Sequence, residues 1–191
     1  MTGSTPPSHF DRLYRASGDP WQLSTSAYEA AKYAATLQAL PRARYAAALE
    51  VGCSIGTLTE RLATRCDAVL GVDFVEGALV TARARCAHLP GLRFERRAIP
   101  AEWPKGRFDL IMLSEVLYFL SVEDLHAIAQ HCGSALMPGG TVMLVNWRGP
   151  NDGTMAGDAA ALTLLQALPA GWRCQNAALL PQYRIDLAEG P

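Results

Sequence analysis

Glu50, Gly52, Ser54 and Gly56 stand at alternate positions where an apolar run, Tyr45 to Val51, gives way to a turn. A strand that ends in a small-residue turn and feeds a helix presents backbone N–H groups and a positive helix dipole at the carboxyl edge of a sheet, where open α/β folds bind ligands. Dinucleotide sites need G-x-G-x-x-G, because the pyrophosphate presses on the backbone there. The spacing here differs, and an acid precedes the first glycine by two positions. A carboxylate in that place would repel a pyrophosphate and suits a ligand that carries an ammonium group. By itself the turn fits a plain strand-to-helix connection equally well.

Asp73 follows the first glycine by about 20 residues, at the end of a second apolar run, where a carboxylate accepts hydrogen bonds from ribose hydroxyls. Its other reading is a cap on the helix that starts near Glu76. A further strand, Phe108 to Leu113, runs into Ser114-Glu115-Val116-Leu117-Tyr118 and delivers Ser114 and Glu115 to the same edge. An ionisable residue among apolar ones is costly unless paired or exposed, which makes Glu115 the candidate for contact with a substrate. The alternative is a solvated loop carboxylate.

Metal and covalent chemistry find little support. His126 and His131, five residues apart in a helical stretch, face different sides, and His9 and His88 lack partners at ligand spacing. The five cysteines are odd in number, scattered and never C-x-x-C, which argues against a zinc cluster or a disulfide framework and fits a reducing cytoplasm. None has a base beside it, so only the position of Cys53 in the turn could suggest a nucleophile.

The elements that must hold these residues alternate. A leading helix is predicted from Ser26 to Leu40, with Ser26 as cap, Glu29 in the capping-box position and Pro41 as stop. Strand Tyr45 to Val51 is followed by helix Leu58 to Cys66, strand Ala68 to Val72, helix Glu76 to Ala87 and strand Leu92 to Glu95. Then come strand Phe108 to Leu113, helix Val122 to Leu136 closed by Pro138-Gly139-Gly140, strand Thr141 to Trp147 and helix Thr154 to Leu168. Two final strands are read around Trp172 to Ala177 and Tyr183 to Leu187. The second alternates polar with apolar and suits an antiparallel strand with one face less buried. Alternation of this kind predicts an α/β domain, a parallel sheet with helices on both faces.

A chain of 191 residues, half of them apolar, supports one core and one domain, expected over residues 11–191. Residues 1–10, rich in Ser, Thr and Pro, read as a mobile tail. A net charge of −1 leaves no cationic surplus for a phosphate backbone, so nucleic acid is not an expected partner. No stretch approaches the roughly 18 apolar residues of a membrane span, and the expectation is a protein inside the cell.

The acid followed by alternating small residues at Glu50 to Gly56 resembles the first motif of class I S-adenosylmethionine-dependent methyltransferases. That resemblance implies a three-layer Rossmann-like sheet of order 3-2-1-4-5-7-6 with its last strand antiparallel. It also implies that Gly52, Cys53, Ser54 and Gly56 pack on the cofactor's methionine moiety while Glu50 holds its amino group. Asp73 would take the ribose, Phe74 would lie near the adenine, and Ala98 and Ile99 would meet its edge, through the Ile99 N–H; Ser114 closes the pocket. Cys53-Ser54 departs from the second glycine of many members, and no Asp stands beside Ile99 to take the adenine amino group.

More closely, Tyr14, Asp19-Pro20-Trp21, Ser26, Tyr28-Glu29, Lys32-Tyr33 and Ser114-Glu115-Val116-Leu117-Tyr118 resemble the nodulation-type, NodS-like N-methyltransferases, from about His9 through the strand that ends at Trp147. In that group residues 11–44 form a lid, with Tyr14, Trp21 and Tyr28 as its candidate contacts. The implied activity is methyl transfer to an amine of a small molecule or an amino sugar or oligosaccharide, with Glu115 receiving the proton and Tyr118 shaping the pocket. Competing readings are an O-acceptor, a cofactor-binding protein without catalysis, and a nicotinamide oxidoreductase.

Overall fold

The structure, a computed structural model, describes residues 3–191. Its framework follows from strands whose two faces are both apolar. In β1 (Tyr45–Val51) and β4 (Phe108–Ser114), Leu49, Val51, Ile111 and Leu113 point to one side, and Ala48, Leu110 and Met112 to the other. Strands of that kind stay out of water only between two layers of helices. On the first side they meet α5 (Val122–Ala135) and α6 (Gly157–Ala167) through Leu125, Ile128, Ala161 and Leu164. On the second they meet α2 (Ala27–Gln38) and α3 (Thr57–Leu62) through Tyr33, Leu58 and Leu62.

Seven strands form the sheet, in the order β3-β2-β1-β4-β5-β7-β6. β2 (Cys66–Asp73), β3 (Leu92–Arg96), β4 and β5 (Leu136–Trp147) run parallel to β1 within it, and α4 (Glu76–Arg85) connects β2 to β3. β7 (Tyr183–Glu189) is antiparallel to both β5 and β6 (Arg173–Leu179). Order and direction agree with the sequence expectation. The carboxyl ends of β1, β2, β4 and β5 therefore open on one edge, at the reversal of strand order between β1 and β4. No helix among the described residues is long and apolar enough to cross a membrane.

Several expectations need correction. Cys66 belongs to β2 rather than to the preceding helix: it pairs with Tyr45, and the chain has already turned at Arg65. The Arg65 guanidinium holds that turn through the carbonyls of Leu37 and Ala43. Pro138-Gly139-Gly140 does not separate helix from strand but lies inside β5, as an irregularity between the Leu136–Phe108 and Thr141–Leu110 pairs. β7 has no wetter face. It lies between two strands with both faces covered, and its polar Arg184 and Asp186 are buried as a pair, Nε to Oδ2 at 2.6 Å. The exposed edge falls to β6 instead.

The N-terminal expectation changes most. Residues 1–2 lie outside the described residues, but Pro7–Ala16 forms helix α1 instead of a tail. Phe10 supplies the tether that a Ser/Thr/Pro composition hides. It packs edge-on against Phe74 (5.3 Å between ring centres) and Phe119 (4.8 Å). The Thr5 N–H donates to the Phe119 carbonyl at 2.7 Å, and His9 pairs with Asp152 at 2.7 Å.

Candidate active site

The turn after β1 is built from left-handed backbone. Gly52, Ser54 and Gly56 have φ of +73°, +51° and +76°. At Gly52 a Cβ would sit 2.2 Å from Val116 Cγ1, so only glycine lets the loops after β1 and β4 touch. The turn's N–H groups are used within the protein: Gly52 and Cys53 donate to the Val72 carbonyl, Ser54 to Asp73 and Gly56 to the Cys53 carbonyl. The start of α3 has no side-chain cap. The turn offers a close-approach backbone surface, flanked by acids.

Glu50, at the end of β1, is buried, and its Oε2 accepts from Thr59 Oγ1 at 2.5 Å. Burial pushes its carboxyl up to about 8 against the pull of the Thr59 bond, and the neighbouring Asp73 charge adds to the rise. Asp73 spans two loops: Oδ2 accepts from Ser54 N and Oδ1 from Val75 N, each at 2.9 Å. It serves α4 as a turn-former rather than as its cap, because the cap residue is Val75. A carboxylate oxygen has a second lone pair, so these bonds leave acceptor capacity toward the cavity. Tyr14 OH meets Ser54 Oγ at 2.5 Å, and its ring lies edge-on to Trp21 at 5.5 Å.

The Ala98 N–H is taken by Glu102 Oε2 at 2.7 Å, which leaves the Ile99 side of that loop to face the cavity. Phe74 is engaged by Phe10 on one side. Gly56 is the one predicted site residue that does not line the cavity. A Cβ there would come within 3.0 Å of Ala82 Cβ, so its function is to let α3 start against α4. The remaining predicted residues all line one cavity of about 620 Å³, a volume suited to a small-molecule site.

On the loop after β4, Glu115 departs from expectation. Its Oε1 accepts from Lys32 Nζ at 2.7 Å, and its Oε2 from Tyr118 OH at 2.9 Å and from Trp147 N at 2.8 Å. A carboxylate so engaged is an anchor rather than a waiting proton acceptor. It also holds left-handed backbone, φ +57°, a conformation that costs a non-glycine residue about 1–3 kcal/mol and persists where its surroundings over-determine it. Burial and the Glu115 charge together push the Tyr118 hydroxyl far above its ordinary range, so it stays protonated and donates.

Sequence reasoning did not assign Lys32 and Glu29 to the site. Lys32 is buried on α2 between two acids, with its Nζ 2.9 Å from Glu29 Oε1 and 2.7 Å from Glu115. Burial pulls its ammonium down, but Glu115 and Glu29 outweigh that and hold it above its ordinary value. The sequence signal was an acid and a base three apart between two tyrosines, which reads as a solvated helix pair. Glu29 was assigned to a capping box. Ser26 does cap, accepting from Glu29 N at 3.3 Å, but the Glu29 carboxylate turns to Lys32 instead.

Known proteins match this chain in sequence and fold. Residues 10–167 match the family described as nodulation protein S (NodS). The chain belongs to the NodS family. Nodulation protein S of Bradyrhizobium diazoefficiens is 38% identical over 127 residues, 65% of this chain and 61% of that one. The chain spans less than two thirds of the length of the curated NodS relatives it matches. A crystal structure from Pseudomonas syringae, provisionally described as a methyltransferase, is 33% identical with a TM-score of 0.75, covering 86% of this chain and 99% of that one. The N-methyltransferase NodS from Bradyrhizobium japonicum WM9, crystallised in complex with S-adenosyl-L-homocysteine, has a TM-score of 0.80 at 23% identity and shares the fold. It covers 96% of this chain and 97% of that chain. The NodS-family cavity of this chain thus combines a close-approach turn, two acids flanking it and a Glu29–Lys32–Glu115 cluster centred on the buried Lys32.

Proposed function

We propose that this NodS-family chain is an S-adenosylmethionine-dependent methyltransferase that methylates an amine of a small molecule or an amino sugar. The observation that carries this reading is the pairing of Glu50 and Asp73 around the Gly52 turn, in a cavity that the Lys32–Glu115 cluster also lines. The family match and the description of the Bradyrhizobium japonicum relative as an N-methyltransferase point the same way. The residues fit the cofactor. Thr57 Oγ1 is buried without a partner on the cavity wall beside the turn, and a ligand rich in polar atoms answers it.

Glu50 would hold the cofactor's amino group, Asp73 its ribose hydroxyls and the Ile99 N–H its adenine edge. When bound, the cofactor supplies a methyl group on a sulfonium, which leaves a neutral thioether and little developing charge to stabilise. Rate then comes from positioning and from excluding water. Phe10, Phe74 and Phe119 cover the cavity beneath α1. Glu115 acts as a positioning residue that fixes Lys32, the Tyr118 hydroxyl and the end of β5. An amine must be neutral to attack, so the acceptor end must orient it and accept its proton.

The test is incubation with labelled S-adenosylmethionine and a panel of amino sugars and small amines, read by mass spectrometry. A mass gain of one methyl on an amine is expected. Label on hydroxyl acceptors alone, or none on any acceptor while S-adenosylhomocysteine still binds, would overturn the reading.

A further inference from the structure

Glu29 spends one oxygen on Lys32, and burial together with the charge and proximity of Glu29 raises the neighbouring Tyr33 hydroxyl. Oε1 accepts from Lys32, while Oε2 is buried without a hydrogen-bond partner, and the residue lines the cavity at 8% exposure. Its neighbour Tyr28 repeats the pattern, with a hydroxyl that is buried and unpaired on the same wall. A buried polar atom without a partner costs stability unless a ligand supplies one. The Tyr28 ring packs edge-on against Trp147 at 6.0 Å and Tyr183 at 6.2 Å, which sets Tyr28 over the ends of β5 and β7. Asp73 and Ile99 lie on the opposite side, beyond β1.

Charge defines the ligand's chemistry. The cavity is lined by the acids Glu29, Asp73, Glu115, Asp124 and Asp152, and by Glu50, which burial keeps protonated, against Lys32 and Arg97 as cations. Such a lining favours a cation over an anion or a neutral ligand. Glu115 is the less available group, because its oxygens already take three donors, whereas Glu29 takes one.

We infer that Glu29 Oε2 and the Tyr28 hydroxyl form the subsite for the acceptor's amino group, and that the acceptor arrives as a cationic primary amine. The inference rests on the amine-methyltransferase reading above. Glu29 offers the ammonium a carboxylate oxygen, and the Tyr28 oxygen accepts a second N–H. Lys32 holds the other Glu29 oxygen, which leaves Oε2 for the ligand.

Calorimetric titration of the protein loaded with S-adenosylhomocysteine tests this, using glucosamine and ethanolamine, each beside its N-acetylated counterpart. Wild type is expected to bind at least one amine, and its acetylated form about tenfold more weakly or worse. Glu29→Gln keeps an acceptor for Lys32 and should weaken that amine about tenfold, with S-adenosylhomocysteine affinity held within about twofold. Tyr28→Phe, which removes a single unpaired hydroxyl, should weaken it less and serves if Glu29→Gln fails to fold. If both variants bind the amine like wild type while wild type methylates it, the subsite is wrong and the function stands. Weakened binding of S-adenosylhomocysteine itself would assign Glu29 to the cofactor and also overturn the inference. A wild type that neither binds nor methylates any amine overturns the functional reading, and the subsite with it.

Discussion

Glu50 is the residue whose charge state sets the pH behaviour of the site. Its carboxyl lies near 8 in the free folded chain, against an ordinary value of 4.5, because burial favours the neutral form. The folded chain thus keeps a proton that the unfolded chain releases. The stability this contributes is full below pH 4.5, is lost as pH rises toward 8, and changes no further above that. Glu50→Gln has no such loss, so its urea midpoint should exceed that of wild type above pH 8 and converge with it in acid. Cofactor binding has the opposite sign, since an ammonium needs the carboxylate. Titration of S-adenosylhomocysteine at pH 7 in buffers of differing ionisation enthalpy should show uptake of a proton by the buffer, and no release would contradict the role given to Glu50. Lys32→Met leaves Glu29 and Glu115 facing each other without their cation. Breaking a buried pair this way costs about 3–5 kcal/mol, which equilibrium urea unfolding would register.

Among the elements, the turn after β1 and helix α1 carry the sharpest expectations. Gly52→Ala combines a φ of +73° with a Cβ 2.2 Å from Val116 Cγ1, and Val116 directly follows Glu115. A displaced Val116 would shift both the Gly52 turn and the Glu115 anchor, so this variant should lose S-adenosylhomocysteine binding and about 1–3 kcal/mol of stability. Helix α1 depends on Phe10 for its contact with Phe74 and Phe119. Phe10→Ala should therefore expose Arg12 and Arg15 to trypsin faster than wild type, at a nearly unchanged melting temperature for the sheet. S-adenosylhomocysteine should slow the cleavage in wild type and much less in the variant.

At the scale of the whole molecule, the cavity is assembled from loops after β1, β2, β3, β4 and β5 together with α1 and α2. A ligand that touches so many elements stabilises all of them at once. S-adenosylhomocysteine at about 100 times its Kd should add about 2.7 kcal/mol to unfolding, seen as a raised melting temperature, whereas NAD should give no shift. An equal shift with NAD would favour the oxidoreductase reading that the missing G-x-G-x-x-G argued against.

The alternation of strand, turn and helix, the acid at Glu50 and the carboxylate at Asp73 were legible in the sequence, because backbone preference and hydrophobic period act over a few residues. The motif also indicated the edge of the sheet at which the cavity opens. The tertiary structure alone decided that β7 is covered on both faces, that Phe10 ties down a segment of tail-like composition, and that Gly56 serves packing rather than the cavity. It alone turned Glu29 from a helix cap into a cavity wall and brought Lys32 to Glu115 across 83 residues of chain. Local rules assign a charged side chain to water by default. Whether it is paired and buried instead depends on what the rest of the chain lays over it, and that is a property of the packed molecule.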